Sequence, residues 1–133
     1  MTDRPLTPEE RAILDVLLSR EFPGRAELAA QAESVRTGGS SCSCGCPSFS
    51  LIADRTLAPA PVTQRMVSDA HGPDPNGNVV GVLLFVDSGY LSNVEVYDMM
   101  CEDKGFAGLP DASGLTLSEW SEPNEHGTRW LQN

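Results

Sequence analysis

The sequence predicts an α+β domain, with two N-terminal helices packed on a four- to five-stranded antiparallel sheet and an irregular C-terminal tail. Three observations carry this expectation. Apolar residues recur at helical spacing only ahead of Gly38-Gly39. Beyond that pair they alternate or run in β-branched stretches. The strongest stretch, Val79 to Val86, leads into turn residues and a returning strand, which makes the sheet antiparallel.

Taken in order, Thr7-Pro8-Glu9-Glu10 starts a helix. Thr7 caps it, Pro8 sits where its missing N–H does no harm, and Glu10 completes a capping box. Ile13, Leu14, Leu17 and Leu18 form the buried stripe of a helix over about Pro8 to Arg20. Phe22-Pro23-Gly24 breaks it, and a second helix is expected from Arg25 to Val35 through Leu28, Ala32 and Val35. A strand is expected near Val35 to Ser41, and Ser48 to Asp54 alternates with Phe49, Leu51 and Ala53 on one side. Val62 to Val67 is a further candidate, weakened by Pro59 and Pro61. Residues 71–78, HGPDPNGN, read as a turn. Asp87-Ser88-Gly89 then joins Val79–Val86 to Tyr90–Tyr97 as a hairpin. Residues 1–104 are thus expected to form one domain, and 105–133 an acidic tail docked in part by Leu115, Leu117 or Trp120.

The 133 residues hold 19 acids against 9 bases, a net charge of −10, with −7 of it between residues 87 and 133. Such a surface repels nucleic-acid backbones and anionic lipid. No apolar run is long enough to span a bilayer, and MTDRPLTPEE lacks the basic-then-apolar pattern of a secretory signal. A cytoplasmic protein is expected, where four cysteines point to metal, redox or inert thiols ahead of structural disulfides.

Cys42, Cys44 and Cys46 stand at every second position of SSCSCGCPSF. An extended chain would present their sulfurs on one side, and a bend at Gly45 would let them converge. Convergent thiolates suit zinc at roughly 2.3 Å, with Cys101 as a fourth ligand and His71 or His126 as substitutes. The one-residue separation departs from the usual C-x-x-C pairing of zinc sites. A reversible disulfide, or small residues in a tight turn, are the alternatives. Asp69, His71 and Asp74 form a D-x-H-x-x-D cluster able to make a general base, metal site or solvated loop. No phosphate loop, zincin helix or nucleophile elbow occurs, so catalysis has no motif to rest on.

Glu95, Asp98, Glu102 and Asp103 cluster around Tyr97, Met99 and Met100, an acidic rim on apolar surface suited to a basic protein partner. The function expected is a non-catalytic protein-binding module, and the alternative is a metal- or redox-responsive protein using Cys42, Cys44 and Cys46. LTPEERAILDVLL, FPG, CSCGCPSFSL and LLFVDSGYLSNVEVY, in that order, resemble a family of small acidic actinobacterial proteins in which a C-x-C-G-C-P segment precedes a β-hairpin. The resemblance covers most of residues 6–98 and implies an intact domain, but brings no activity and no site residue. In size, acidity and sheet-centred layout the chain also looks like immunity proteins that neutralise toxin domains.

Overall fold

The computed structural model describes residues 3–39, 47–98 and 108–118. Strand β1 (Arg4–Pro5) leads into α1 (Pro8–Leu17) and α2 (Arg25–Ala32), followed by β2 (Arg36–Thr37), β3 (Phe49–Ser50), β4 (Met66–Pro73), β5 (Val79–Asp87) and β6 (Tyr90–Asp98). A 3-10 turn at Ala112–Gly114 precedes β7 (Thr116–Leu117). β1 and β2 form a small antiparallel pair, and the main antiparallel sheet runs β3-β6-β5-β4-β7. This is the predicted α+β arrangement.

The start of α1 follows from its residues. The Thr7 side chain accepts from the Glu10 N–H at 3.1 Å, and Glu10 Oε1 accepts from the Thr7 N–H at 2.9 Å. Arg4 adds a two-pronged ion pair to the same carboxylate, at 2.9 and 3.0 Å. Burial alone would push the Glu10 carboxyl up; the Arg4 guanidinium and the Thr7 donors outweigh it and hold it below its ordinary value of 4.5. Ile13, Leu14 and Leu17 of α1 and Leu28 of α2 are wholly buried. The helices are shorter than expected: the backbone tightens at Ser19, which donates to Val16, and at Ser34, which donates to Gln31. Arg25 Nε donates to the Leu18 carbonyl at 2.9 Å, fixing the corner between them.

The β5–β6 hairpin is the sheet's centre. Ser88 and Gly89 both take positive φ, 54° and 85°, the two-residue turn whose twist suits paired strands. A Cβ at Gly89 would also press on Pro59 and Ala60, so glycine is required twice over. One bulge then sets the register. Val86 pairs with Leu91, but Phe85 pairs with Asn93, so Ser92 is the extra residue. Without it, Val82 and Leu84 would pair with Glu95 and Asn93. With it they meet Val96 and Val94, and all four valines and leucines share the core face.

Two expectations are corrected. The strand drawn at Val62–Val67 begins at Met66 and runs to Pro73, absorbing the first residues of the presumed turn. Before it, Val62 turns back to donate to the Ala60 carbonyl, which keeps the proline-flanked stretch out of the sheet. The second is Thr116–Leu117, placed in an irregular tail but observed as a strand on the open edge of β4, where Leu115 and Leu117 pack against the core.

Gln31, wholly buried on α2, joins helix to hairpin. Its side-chain amide donates to the carbonyls of Gly89 (3.0 Å) and Ala58 (3.1 Å) and accepts from the Leu91 N–H (2.9 Å). Gln31→Leu removes all three of these bonds, leaving the Gly89 carbonyl with the Ala60 N–H alone, and should cost about 3 kcal/mol of stability, measured by urea unfolding; a loss below about 1 kcal/mol would refute the clamp. The Glu10 pair gives a pH signature. A carboxyl held below its ordinary value contributes stability above that value and loses it as pH falls through the folded-state value. The melting-temperature gap between wild type and Glu10→Gln should therefore shrink from about pH 6 to about pH 3, and a pH-independent gap would contradict the assignment.

Candidate functional site

Among the described residues the main core cluster lies on one face of the sheet. Val80, Val82, Leu84, Val86, Leu91, Val94, Val96 and Ala70 cluster with the helical side chains, whereas Val79, Leu83, Phe85 and Tyr97 stand outside that cluster. The strand pleat places these on the opposite, outer face. There the register forms cross-strand rows: Ser50, Asn93, Phe85 and Met66; then Glu95, Leu83 and Asp69; then Tyr97, Gly81, His71 and Thr116. Neighbouring strands stand about 4.8 Å apart, so Glu95 and Asp69 flank Leu83 at about 10 Å from each other.

Tyr97 is the aromatic residue of this face. Its ring lies across Gly81, its cross-strand partner, and a Cβ at that glycine would collide with the ring. The glycine gives the aromatic a flat backbone seat, and the ring stays 38% exposed. Burial of part of the ring, then the nearby Asp69 and Glu95 carboxylates, push the phenol above its ordinary value of 10.0. Asp69 accepts from the Ser118 hydroxyl at 2.6 Å, which brings β7's end to this face. The arrangement has apolar area, an oriented aromatic ring and flanking negative charge. These are the components of a docking surface.

Of the residues predicted to bind a partner, Glu95 is exposed on the outer face, while Asp98, three positions on, ends β6 with the parity of the core face. Glu102 and Asp103 lie outside the described residues, as do Cys42, Cys44, Cys46, Cys101 and His126. The Ser48 hydroxyl accepts from the Val96 N–H at 2.8 Å, which ties the residue before β3 to β6. Among the described residues no three His, Cys, Asp or Glu side chains are placed to hold a metal ion. The D-x-H-x-x-D cluster does not converge on one side: Asp69 and His71 share the outer face, but Asp74 turns into its own loop, accepting from the Asn76 and Asn78 N–H groups, both at 2.9 Å.

Sequence reasoning missed the Tyr97–Gly81 seat and the part of Asp69 in it. A glycine inside a strong strand signals a close approach, but its partner is named only once the bulge is counted. No family model, curated protein or solved structure matches the chain. No helix among the described residues is long and apolar enough to cross a membrane.

The seat makes a spectroscopic prediction. In a tyrosine-labelled NMR titration, Glu95→Gln should lower the Tyr97 ionisation toward its ordinary value, because one repelling charge is gone. An unchanged titration would mean that Glu95 does not border the ring.

Proposed function

We propose that this chain is a cytoplasmic, non-catalytic module that binds a basic protein through the outer face of its sheet. Glu95 and Asp69 supply the charged contacts, and Tyr97, Leu83 and Phe85 the apolar ones. The observation that carries this reading is the Tyr97 ring laid across Gly81 near two carboxylates, on a face whose Leu83, Phe85 and Tyr97 stand outside the core cluster. Rigid aromatic anchors of this kind dominate binding energy at protein interfaces, because they bury much area at little entropic cost. The net charge of −10 adds long-range attraction for a cationic partner and repels nucleic acid. The likeness to immunity proteins in size, acidity and layout supports the same class of partner.

This reading moves the contact from the end of β6, where the acidic residues crowd in sequence, onto the face that Glu95 shares with Tyr97. Its test is quantitative capture from a bacterial lysate on immobilised wild type, Glu95→Lys and Tyr97→Ala, with circular dichroism confirming that each variant folds. The same basic protein should be depleted by about ten-fold or more on both variants, and its capture by wild type should weaken with salt. Equal capture by all three would eliminate the outer face as the binding surface.

A further inference from the structure

The β4–β5 turn holds a chemically reactive pair. Residues 74–78 read Asp-Pro-Asn-Gly-Asn, and both Asn76 and Gly77 are exposed. Asparagine is among the labile side chains. When glycine follows it, the glycine nitrogen can close a five-membered ring on the asparagine Cγ, because no Cβ obstructs the approach. Nothing stands within 4 Å of where a Cβ on Gly77 would be, and the Asn76 side chain makes no hydrogen bond among the described residues. Neither reacting group is shielded by neighbours. The other asparagines among the described residues differ: Asn78 precedes Val79 and Asn93 precedes Val94, whose branched side chains crowd the attacking nitrogen, and Asn93 is also held in the β5–β6 ladder.

We propose that Asn76 is a modification site, converting to aspartate and β-linked aspartate by attack of the Gly77 nitrogen, and that Asp74 sets the rate. Water is the only co-reactant. The Gly77 N–H gives its proton to solvent base and the N–Cγ bond forms; the Cγ–Nδ2 bond then breaks, and that nitrogen takes up a proton and leaves as ammonia. Water opens the resulting succinimide at either carbonyl, which yields the two products. Asp74 restrains the first step. Its carbonyl accepts from the Gly77 N–H at 2.9 Å, its Oδ1 accepts from the Asn76 and Asn78 N–H groups, both at 2.9 Å, and its own N–H donates to the Asn78 carbonyl at 2.7 Å. The attacking nitrogen is thus engaged, and the backbone on both sides of Asn76 is fixed by one residue. Reaction proceeds from the opened turn, whose population those bonds control. The β-linked product adds the Asn76 Cβ to the main chain, lengthening the turn that closes the Pro73–Val79 pair, and both products add a carboxylate to a chain already at −10.

The test incubates the full chain at mildly alkaline pH beside the free peptide acetyl-Pro-Asp-Pro-Asn-Gly-Asn-Val-amide, and follows both by mass spectrometry after digestion. The mass gain of an NH2-to-OH exchange is expected at Asn76, in both isomeric forms, with Asn78 and Asn93 unchanged. Its rate in the chain should lie about five-fold or more below that in the free peptide, the factor that one hydrogen bond in the turn supplies. Asp74→Ala should recover most of that factor, whereas Asp74→Asn, which keeps an acceptor oxygen for the two amides, should stay near wild type; circular dichroism confirms that each variant folds. An intact Asn76 in the chain under conditions where the peptide converts would overturn the site. Conversion at Asn78 or Asn93 as fast as at Asn76 would overturn the assignment to the glycine-preceding residue. Equal rates in chain and peptide, or in wild type and folded Asp74→Ala, would overturn the control by Asp74, and the first of these comparisons needs no variant.

Discussion

The end of the β5–β6 hairpin is where the fold is held to one solution. Gln31 reaches from α2 to the Gly89 carbonyl and the Leu91 N–H. Ala60 donates to the same Gly89 carbonyl at 2.8 Å, and the Tyr90 hydroxyl donates to the Leu57 carbonyl at 2.8 Å. Arg55 stacks over the Tyr90 ring, 4.4 Å from its centre. A helix, a long connection and the central strands are thereby tied to one turn. The bulged Ser92 follows immediately, and its carbonyl accepts from Leu51 at the β3 edge. The clamp and the bulge together set which residue of β6 faces which residue of β5, and a slip of one position would exchange the two faces of the strand.

The outer face depends on that register. With Val94 and Val96 turned inward, Glu95 and Tyr97 are turned outward, and the seat on Gly81 exists only because the extra residue at Ser92 brings Tyr97 opposite it. The β4–β5 pairing then places Asp69 across Leu83 from Glu95. At the far end of the same pair, the turn after Pro73 closes on Asp74, whose Oδ1 accepts from the Asn76 and Asn78 amides of its own loop. Acidic residues are therefore divided between the sheet face, with Glu95 and Asp69, and the sheet end, with Asp74.

Much of the fold was legible because its signals are local. Thr7 with Glu10, the stripe from Ile13 to Leu18, and Ser88-Gly89 between two β-branched runs each act within a few residues, and each appears where the spacing placed it. The alternation of Phe49, Leu51 and Ala53 also survives as burial, although only Phe49–Ser50 keeps ladder pairing. The strand at Met66–Pro73 was less legible, since Ser68, Ala70 and Gly72 are small and read weakly as strand. They sit there because helix α1 and the Ala112–Gly114 turn press close to that face, the latter within 2.5 Å of where a Cβ on Gly72 would stand.

The sequence by itself determined the caps, the turns and the change from helical to strand period, since these are settled by the conformational preferences of neighbouring residues. It also determined the sign and amount of charge. Only the tertiary structure decided the one-residue offset in β6, the recruitment of Thr116–Leu117 to an edge, the separation of Glu95 from Asp98, and the burial of Asp74. Each of those depends on which distant groups meet, and their energies arise from packing and hydrogen bonds between segments that no local window contains.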